Sequence, residues 1–168
     1  GAPRMHKALV NYVDYEFSWR SPLLRDLAAS CGNAHVLLMP AGDRSRYFRK
    51  TRRERLLEWL RYKATVILPV EKDLSTRVFD ALLAGQVPVV PSMIRDFDRV
   101  IPSQVQQELG VVRIDELSLP AIRGAIDEAL RRSNLDAAQG TGAAMAAPPP
   151  SPWRGELQKD HDGSGLEE

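Results

Sequence analysis

Residues 64–91, ATVILPVEKDLSTRVFDALLAGQVPVVP, constrain the fold more than any other stretch, because they read as strand, loop, helix and strand within 28 residues. Ala64 to Val70 is an unbroken apolar run rich in β-branched residues. It is too short for a helix and suits a strand buried on both faces of a parallel sheet. Ser75 stands where a helix N-cap belongs, its hydroxyl available to an orphan N–H of the first turn. The spacing predicts a helix from Thr76 to Ala84, with Val78 and Leu82 four apart and Phe79 and Leu83 widening the buried stripe. Gly85 fits the position after the helix, where a left-handed residue closes it without a Cβ clash. Gln86 to Pro91 begins the next strand, with Pro88 tolerable only near its start. The whole is a βαβ unit.

The polar residues of this unit fall at one junction. Ser75, Thr76 and Arg77 sit between strand end and helix start, which in open parallel sheets is where ligands bind. Free N–H groups and the helix dipole favour an anion there. Arg77 adds a bidentate fork suited to phosphate. Asp80 is three residues beyond Arg77 and four beyond Thr76, so the three can share a helix face. A cation and hydroxyls for phosphate, with a carboxylate one turn deeper for ribose, would make a nucleotide-diphosphate site. The competing reading is that Ser75 only caps the helix while Arg77 and Asp80 pair on a solvated surface, as short helices commonly allow.

The pattern S-x-R-V-F-D-A-L-x-A-G-x-V-P-V-V, Ser75 to Val90, resembles the signature of exostosin-type glycosyltransferases. More loosely it resembles the donor-binding half of GT-B glycosyltransferases, where an acidic residue is followed by Ala and then Gly-x-Pro-Val-Val. Upstream, LLEWLRYKATVILP (Leu56 to Pro69) resembles that family's preceding helix and strand, so the likeness covers residues 50–102. The resemblance implies that Ser75, Arg77 and Asp80 contact the nucleotide part of a sugar donor. Asp80 stands where the family usually has Glu. The earlier glutamate of the broader pattern falls at Lys72, with Glu71 one residue away.

The flanking sequence repeats the layout. Residues 1–6 read as a lead-in and Lys7 to Val13 as a first strand. A polar-aromatic loop follows, Asp14 to Arg20, and Ser21-Pro22 opens a helix as N-cap and first residue. Leu23, Leu24 and Leu27 supply its apolar face, and Cys31-Gly32-Asn33 stops it, since Gly and Asn accept the left-handed region. Ala34 to Met39 is a second strand, closed by Pro40 to Asp43. The loop after the first strand would open on the same sheet edge as Ser75, so Arg20, and less readily Arg25, could reach a diphosphate. Residues 44–55 carry seven basic residues in twelve. This segment is the one nucleic-acid-like feature, although a solvated basic first half of a helix explains it better. Arg44 and Arg46 follow a strand end and could instead help hold phosphates. Leu56, Leu57, Trp59 and Leu60 are expected to pack that helix on the sheet.

Ser92 to Pro102 reads as a loop. Its Asp96-Phe97-Asp98 triplet could hold a divalent cation, but in this layout the two aspartates are expected to be solvated beside Arg95 and Arg99. No metal site is expected. A short helix, Ser103 to Leu109, is closed by Gly110. A last strand, Val111 to Ile114, precedes a helix from Ser118 to about Arg132 with Ile122, Ile126 and Leu130 at steps of four. From about residue 134 the composition turns to Ala, Gly and Pro and then to acidic residues, and no fixed structure is expected. The charge divides accordingly: residues 1–133 hold 21 Lys and Arg against 16 Asp and Glu, the remainder 2 against 6. A basic body favours anionic ligands without demanding nucleic acid.

The absences matter too. A single cysteine, Cys31, rules out an internal disulfide,. There is no Walker A sequence and no Gly-x-Gly-x-x-Gly after a strand, so ATPase and NAD readings lose support. His6, His35 and His161 are isolated. No apolar run approaches the length of a membrane-spanning helix, and a soluble domain is expected. A chain opening Gly-Ala-Pro-Arg is expected to be a piece of a longer protein. These observations lead to an α/β, Rossmann-like domain over residues 7–133, with about five mainly parallel strands and helices on both faces. They also lead to an expected function, the donor-binding half of a glycosyltransferase. Arg77 would stabilise the leaving nucleotide, and Ser75, Thr76, Asp80, Arg20 and Arg44 would bind the donor, with no separate cofactor. The acceptor-binding domain and any catalytic base would lie outside these residues. A non-catalytic nucleotide-binding or regulatory domain is one alternative, and a nucleic-acid-associated domain using the basic 44–55 segment is the other.

Overall fold

The structure, a computed structural model, describes residues 3–43, 45 and 48–138. Arg44, Arg46, Tyr47 and the proline-rich, acidic segment from residue 139 onward therefore lie outside the described residues. Five strands form one all-parallel sheet: β1 (Met5–Asp14), β2 (Ala34–Pro40), β3 (Tyr62–Val66), β4 (Val87–Pro91) and β5 (Val112–Ile114). The helices are α1 (Arg20–Ser30), α2 (Arg52–Trp59), α3 (Arg77–Leu83), α4 (Phe97–Val100), α5 (Ser103–Glu108) and α6 (Leu119–Ala138). No described helix is long and apolar enough to cross a membrane.

The sheet order is β2-β1-β3-β4-β5. The chain starts in the interior of the sheet, steps outward to β2, then returns past β1 and continues outward on the other side. The direction of winding therefore reverses between β1 and β3, and a crevice opens at the carboxyl ends of those two strands, as in doubly wound sheets generally. Both faces are covered. On one, α1 (Leu24, Leu27) and α6 (Ile122, Ile126, Leu130) pack on Ala8, Val10 and Tyr12; on the other, Trp59, Val78, Ala81 and Phe97 pack on Leu9 and Val90. This is why Ala8 to Val13 is buried without alternation. Pro88 is accommodated because β5 begins opposite Val89, so the missing N–H faces no ladder partner,.

Several expectations need correcting. Met5 and His6 belong to β1, so the lead-in is shorter. β3 ends at Val66 rather than Val70, although Ile67 and Leu68 stay fully buried. The first helix starts at Arg20, and Ser21 is not its cap: its hydroxyl donates to the Tyr15 carbonyl at 2.8 Å. That helix stops with Cys31 in an extended conformation, and neither Gly32 nor Asn33 is left-handed. A single turn, α4, interrupts the expected 92–102 loop. The last helix continues to Ala138, beyond the expected end near Arg132.

Two helices are rotated from expectation. In α3 the buried residues are Val78 and Ala81, while Phe79 and Leu83 face solvent. In α2 only Trp59 is buried, and Leu56, Leu57 and Leu60 are exposed. Polar anchors explain the rotation of α2. Glu58 accepts from Asn11 Nδ2 on β1 at 2.9 Å, and the Trp59 carbonyl accepts from Gln86 at 2.6 Å. Burying one indole, with its large apolar surface, together with these bonds outweighs covering the leucines on the far side. The N-terminus of α2 is fixed by a capping box between Thr51 and Glu54,.

Two of the three helix ends predicted at glycine do carry it in the left-handed region. Gly85 (φ 62°) and Gly110 (φ 68°) each close a helix. At the first, Gly85 N–H donates to Leu82 and Gln86 N–H to Ala81, the paired bonds of a Schellman motif,. A methyl group at residue 85 would also meet the Arg4 guanidinium at 3.2 Å. Gly85→Ala should therefore lower stability by about 1–2 kcal/mol. Gly124→Ala, in open space inside α6, should raise it by about 0.5–1 kcal/mol. Urea denaturation midpoints check both, and equal shifts of the same sign would contradict the assignment.

Candidate functional site

At the β1/β3 reversal lies an open cleft of about 550 Å³. Its floor is Tyr12 and Val13 from the end of β1. One wall comes from Tyr15 and Arg20, another from Pro69, Val70, Glu71 and Asp73 after β3, and Ser75 and Arg77 close it at the start of α3, with Phe48 at the rim.

Tyr12 organises this site. Its ring is buried, and its hydroxyl donates to the Val66 carbonyl at 2.9 Å while accepting from Leu68 N–H at 2.7 Å. The last β1–β3 register pair is Leu9 with Thr65. Beyond it, this one phenol stands in for backbone partners of the departing strand, satisfying a buried donor and a buried acceptor. Two cations then sit by the same ring: the guanidinium carbons of Arg20 and Arg77 are each 4.5 Å from its centroid. Cations are attracted to an aromatic face at this range.

Arg20 is only 5% exposed. It donates to the Leu68 carbonyl at 2.6 Å, lies 5.9 Å from the Tyr15 ring, and its Nε has no hydrogen-bond partner among the described residues. It makes no ion pair with a carboxylate among the described residues. Burial pushes its pKa below the ordinary arginine value, with Tyr12 opposing and Arg77 reinforcing that shift. A buried cation held mainly by a carbonyl and aromatic faces is incompletely compensated. Arg77, half-buried, donates to the Asn11 carbonyl at 2.6 Å. Asn11 in turn donates to Glu58, which also pairs with Lys50 at 2.8 Å.

The loop that carries Arg20 is tied at both ends. Trp19 donates its indole N–H to the Val70 carbonyl at 2.8 Å, linking the two walls. Asp14 pairs with Arg25 at 2.8 Å. The Ser21 hydroxyl, which donates to the Tyr15 carbonyl, also lies beside the half-buried Asp14 carboxylate. The Ser21 hydroxyl first, and then the Arg25 guanidinium, hold Asp14 below the usual aspartate pKa.

Of the residues predicted from sequence, Ser75, Arg77 and Arg20 come together at this cleft. Ser75 Oγ is a long 3.4 Å from Arg77 N–H. Thr76 and Asp80 are exposed on α3 and do not line the cleft, and Arg44 lies outside the described residues. Arg25 is engaged with Asp14. Asp98 accepts from Gln106 and faces Arg113, while Asp96 lies 3.9 Å from Arg99. Sequence reasoning gave no role to Tyr12, Tyr15 or Asp73, and placed Phe48 only as an aromatic interleaved in the basic segment, yet all four line the cleft. Tyr12 and Asp73 had a usable signal, since each follows or ends a strand whose carboxyl end faces the reversal. No family model, no curated protein and no solved structure matches the chain.

Tyr12→Phe keeps the ring but leaves both Leu68 N–H and the Val66 carbonyl without their partner, so at about 1–3 kcal/mol for each group it should cost about 2–6 kcal/mol in thermal or urea unfolding,. A loss below that range would show that water replaces the hydroxyl. A second expectation concerns acid. Because folding depresses the Asp14 pKa, its contribution is full above the unfolded value of 3.8 and is lost as pH falls through the lower folded value,. The stability gap between the parent chain and Asp14→Asn should narrow as pH drops below about 3.8; a gap independent of pH would refute the carboxylate's role.

Proposed function

We propose that the cleft binds a nucleoside diphosphate carried as a nucleotide sugar, and that the domain is the donor-binding half of an exostosin-like, GT-B glycosyltransferase. The observation that carries this reading is the arginine pair on Tyr12: two guanidinium groups at the sheet's reversal point, one of them buried with no carboxylate partner among the described residues. Such a pair suits a diphosphate, whose several oxygens accept from planar forks. The Ser75–Val90 pattern supports the same reading independently, because its Ser75 and Arg77 line this cleft.

In this reading sugar transfer separates the donor's anomeric carbon from the diphosphate oxygen, and negative charge develops on the departing nucleoside diphosphate. Arg77, held by Asn11, and Arg20, held by Leu68, meet that charge with groups already fixed in place. Tyr15 and Phe48 offer aromatic faces for the base. The ribose hydroxyls fall to Glu71 or Asp73, since Asp80, the acid of the family pattern, is exposed outside the cleft lining. The acceptor and any catalytic base come from outside the described residues. A domain that binds nucleotide without transferring sugar is the second reading; the exposed position of Asp80, and Lys72 in place of an acid, favour it.

Titration calorimetry with UDP and GDP should show saturable binding. Arg77→Ala should weaken it about 10- to 100-fold, as expected for losing a hydrogen bond to a charged group, and Asp80→Ala should leave it within about twofold. Equal loss in both variants would move the site onto the exposed face of α3. Binding of short RNA with a steep salt dependence and indifference to Arg77 would instead transfer the function to the basic 44–55 segment.

A further inference from the structure

We propose that the outward face of α2 and α3 docks on an anionic lipid bilayer. This inference is independent of the nucleotide reading and rests on the rotation of the two helices. At about 100° per residue, Leu57 points away from Trp59, and Leu56 and Leu60 point away from Glu58, the two residues anchored on the sheet side, and all three leucines are exposed,. Leu56 and Leu57 are each 47% exposed. On α3, which packs beside α2, Phe79 and Leu83 are one turn apart and exposed, Leu83 at 67%. Five large apolar side chains thus face solvent from two adjacent helices. Large apolar side chains exposed together on two packed helices mark an interaction surface.

The charges around the patch select the partner. Arg52, Arg53 and Arg55 occupy the first turns of α2, and Arg49 and Arg61 flank it; all five are exposed. None makes an ion pair among the described residues. Arg49 and Arg55 are turned to backbone carbonyls of Ser45 and Lys50. The acids nearby are fewer: Glu54 is held in the capping box, and Asp80 is exposed on α3. Leucine and phenylalanine with surrounding arginine on a helix lying flat is the arrangement of an interfacial helix, the apolar residues entering the acyl boundary and the cations meeting lipid phosphates. A second copy of the chain fits poorly, because a symmetric contact through this face would set its arginines against their own copies.

The test is sedimentation of the full chain with phosphatidylcholine vesicles, with and without phosphatidylglycerol. Binding is expected only with phosphatidylglycerol, falling as salt rises. Leu56→Ser with Leu57→Ser, and separately Arg52→Glu with Arg53→Glu, should each weaken it about tenfold or more. These residues are exposed, so unchanged circular dichroism and melting should accompany the loss; Phe79→Ser is a second probe on the neighbouring helix. Three results would overturn the proposal. One is no binding to anionic vesicles. Another is binding that needs the arginines but not the leucines, which would reduce the face to an ion exchanger. The third is leucine-dependent self-association without vesicle binding.

Discussion

The phenol of Tyr12 does two jobs that would otherwise need separate residues. Parallel strands must part somewhere for a crevice to open between them, and each parting leaves backbone donors and acceptors without a ladder. Here the parting of β1 and β3 exposes the Val66 carbonyl and Leu68 N–H to the interior, and one hydroxyl satisfies both. Each such group left unpaired would cost about 1–3 kcal/mol, so the crevice depends on this side chain. The ring of the same residue then supplies the surface on which Arg20 and Arg77 rest.

Arg20 shows how far local geometry can override solvation. Taking a guanidinium out of water is unfavourable, and the usual remedy is a carboxylate. Its compensation instead comes from a carbonyl, two aromatic rings and the more distant charge of Asp73. That leaves an excess of positive potential at the head of the crevice, which an anion would relieve. Arg77 belongs to a longer chain of contacts, through Asn11 and Glu58 to Lys50. The basic segment before α2 thus meets the cleft both through Lys50, by way of α2 and β1, and through Phe48 at the rim.

Much of the layout was readable beforehand because hydrophobic periodicity and glycine placement are local properties. The βαβ unit over residues 64–91, the closing roles of Gly85 and Gly110, and five parallel strands between helical layers all follow from them. The site was half-readable. Ser75, Arg77 and Arg20 sit at strand-to-helix junctions, and topology brings such junctions to one edge. Thr76 and Asp80 share helical spacing with Arg77, but spacing gives relative angles on a helix and not the direction in which the helix is turned.

That distinction separates the two levels for this chain. Local signals gave the order of the five strands and of the helices between them apart from the single turn α4, since these depend on neighbours a few residues away. Tertiary structure decided the rotation of α2 and α3, the end of β3 and the burial of Arg20. Each of these depends on a partner distant in the chain: Asn11 on Glu58, Tyr12 on Leu68, and Arg20 on the Leu68 carbonyl. A leucine stripe has the same periodicity whether it faces the sheet or the solvent, and only the competition with a buried tryptophan and its polar anchors turned it outward.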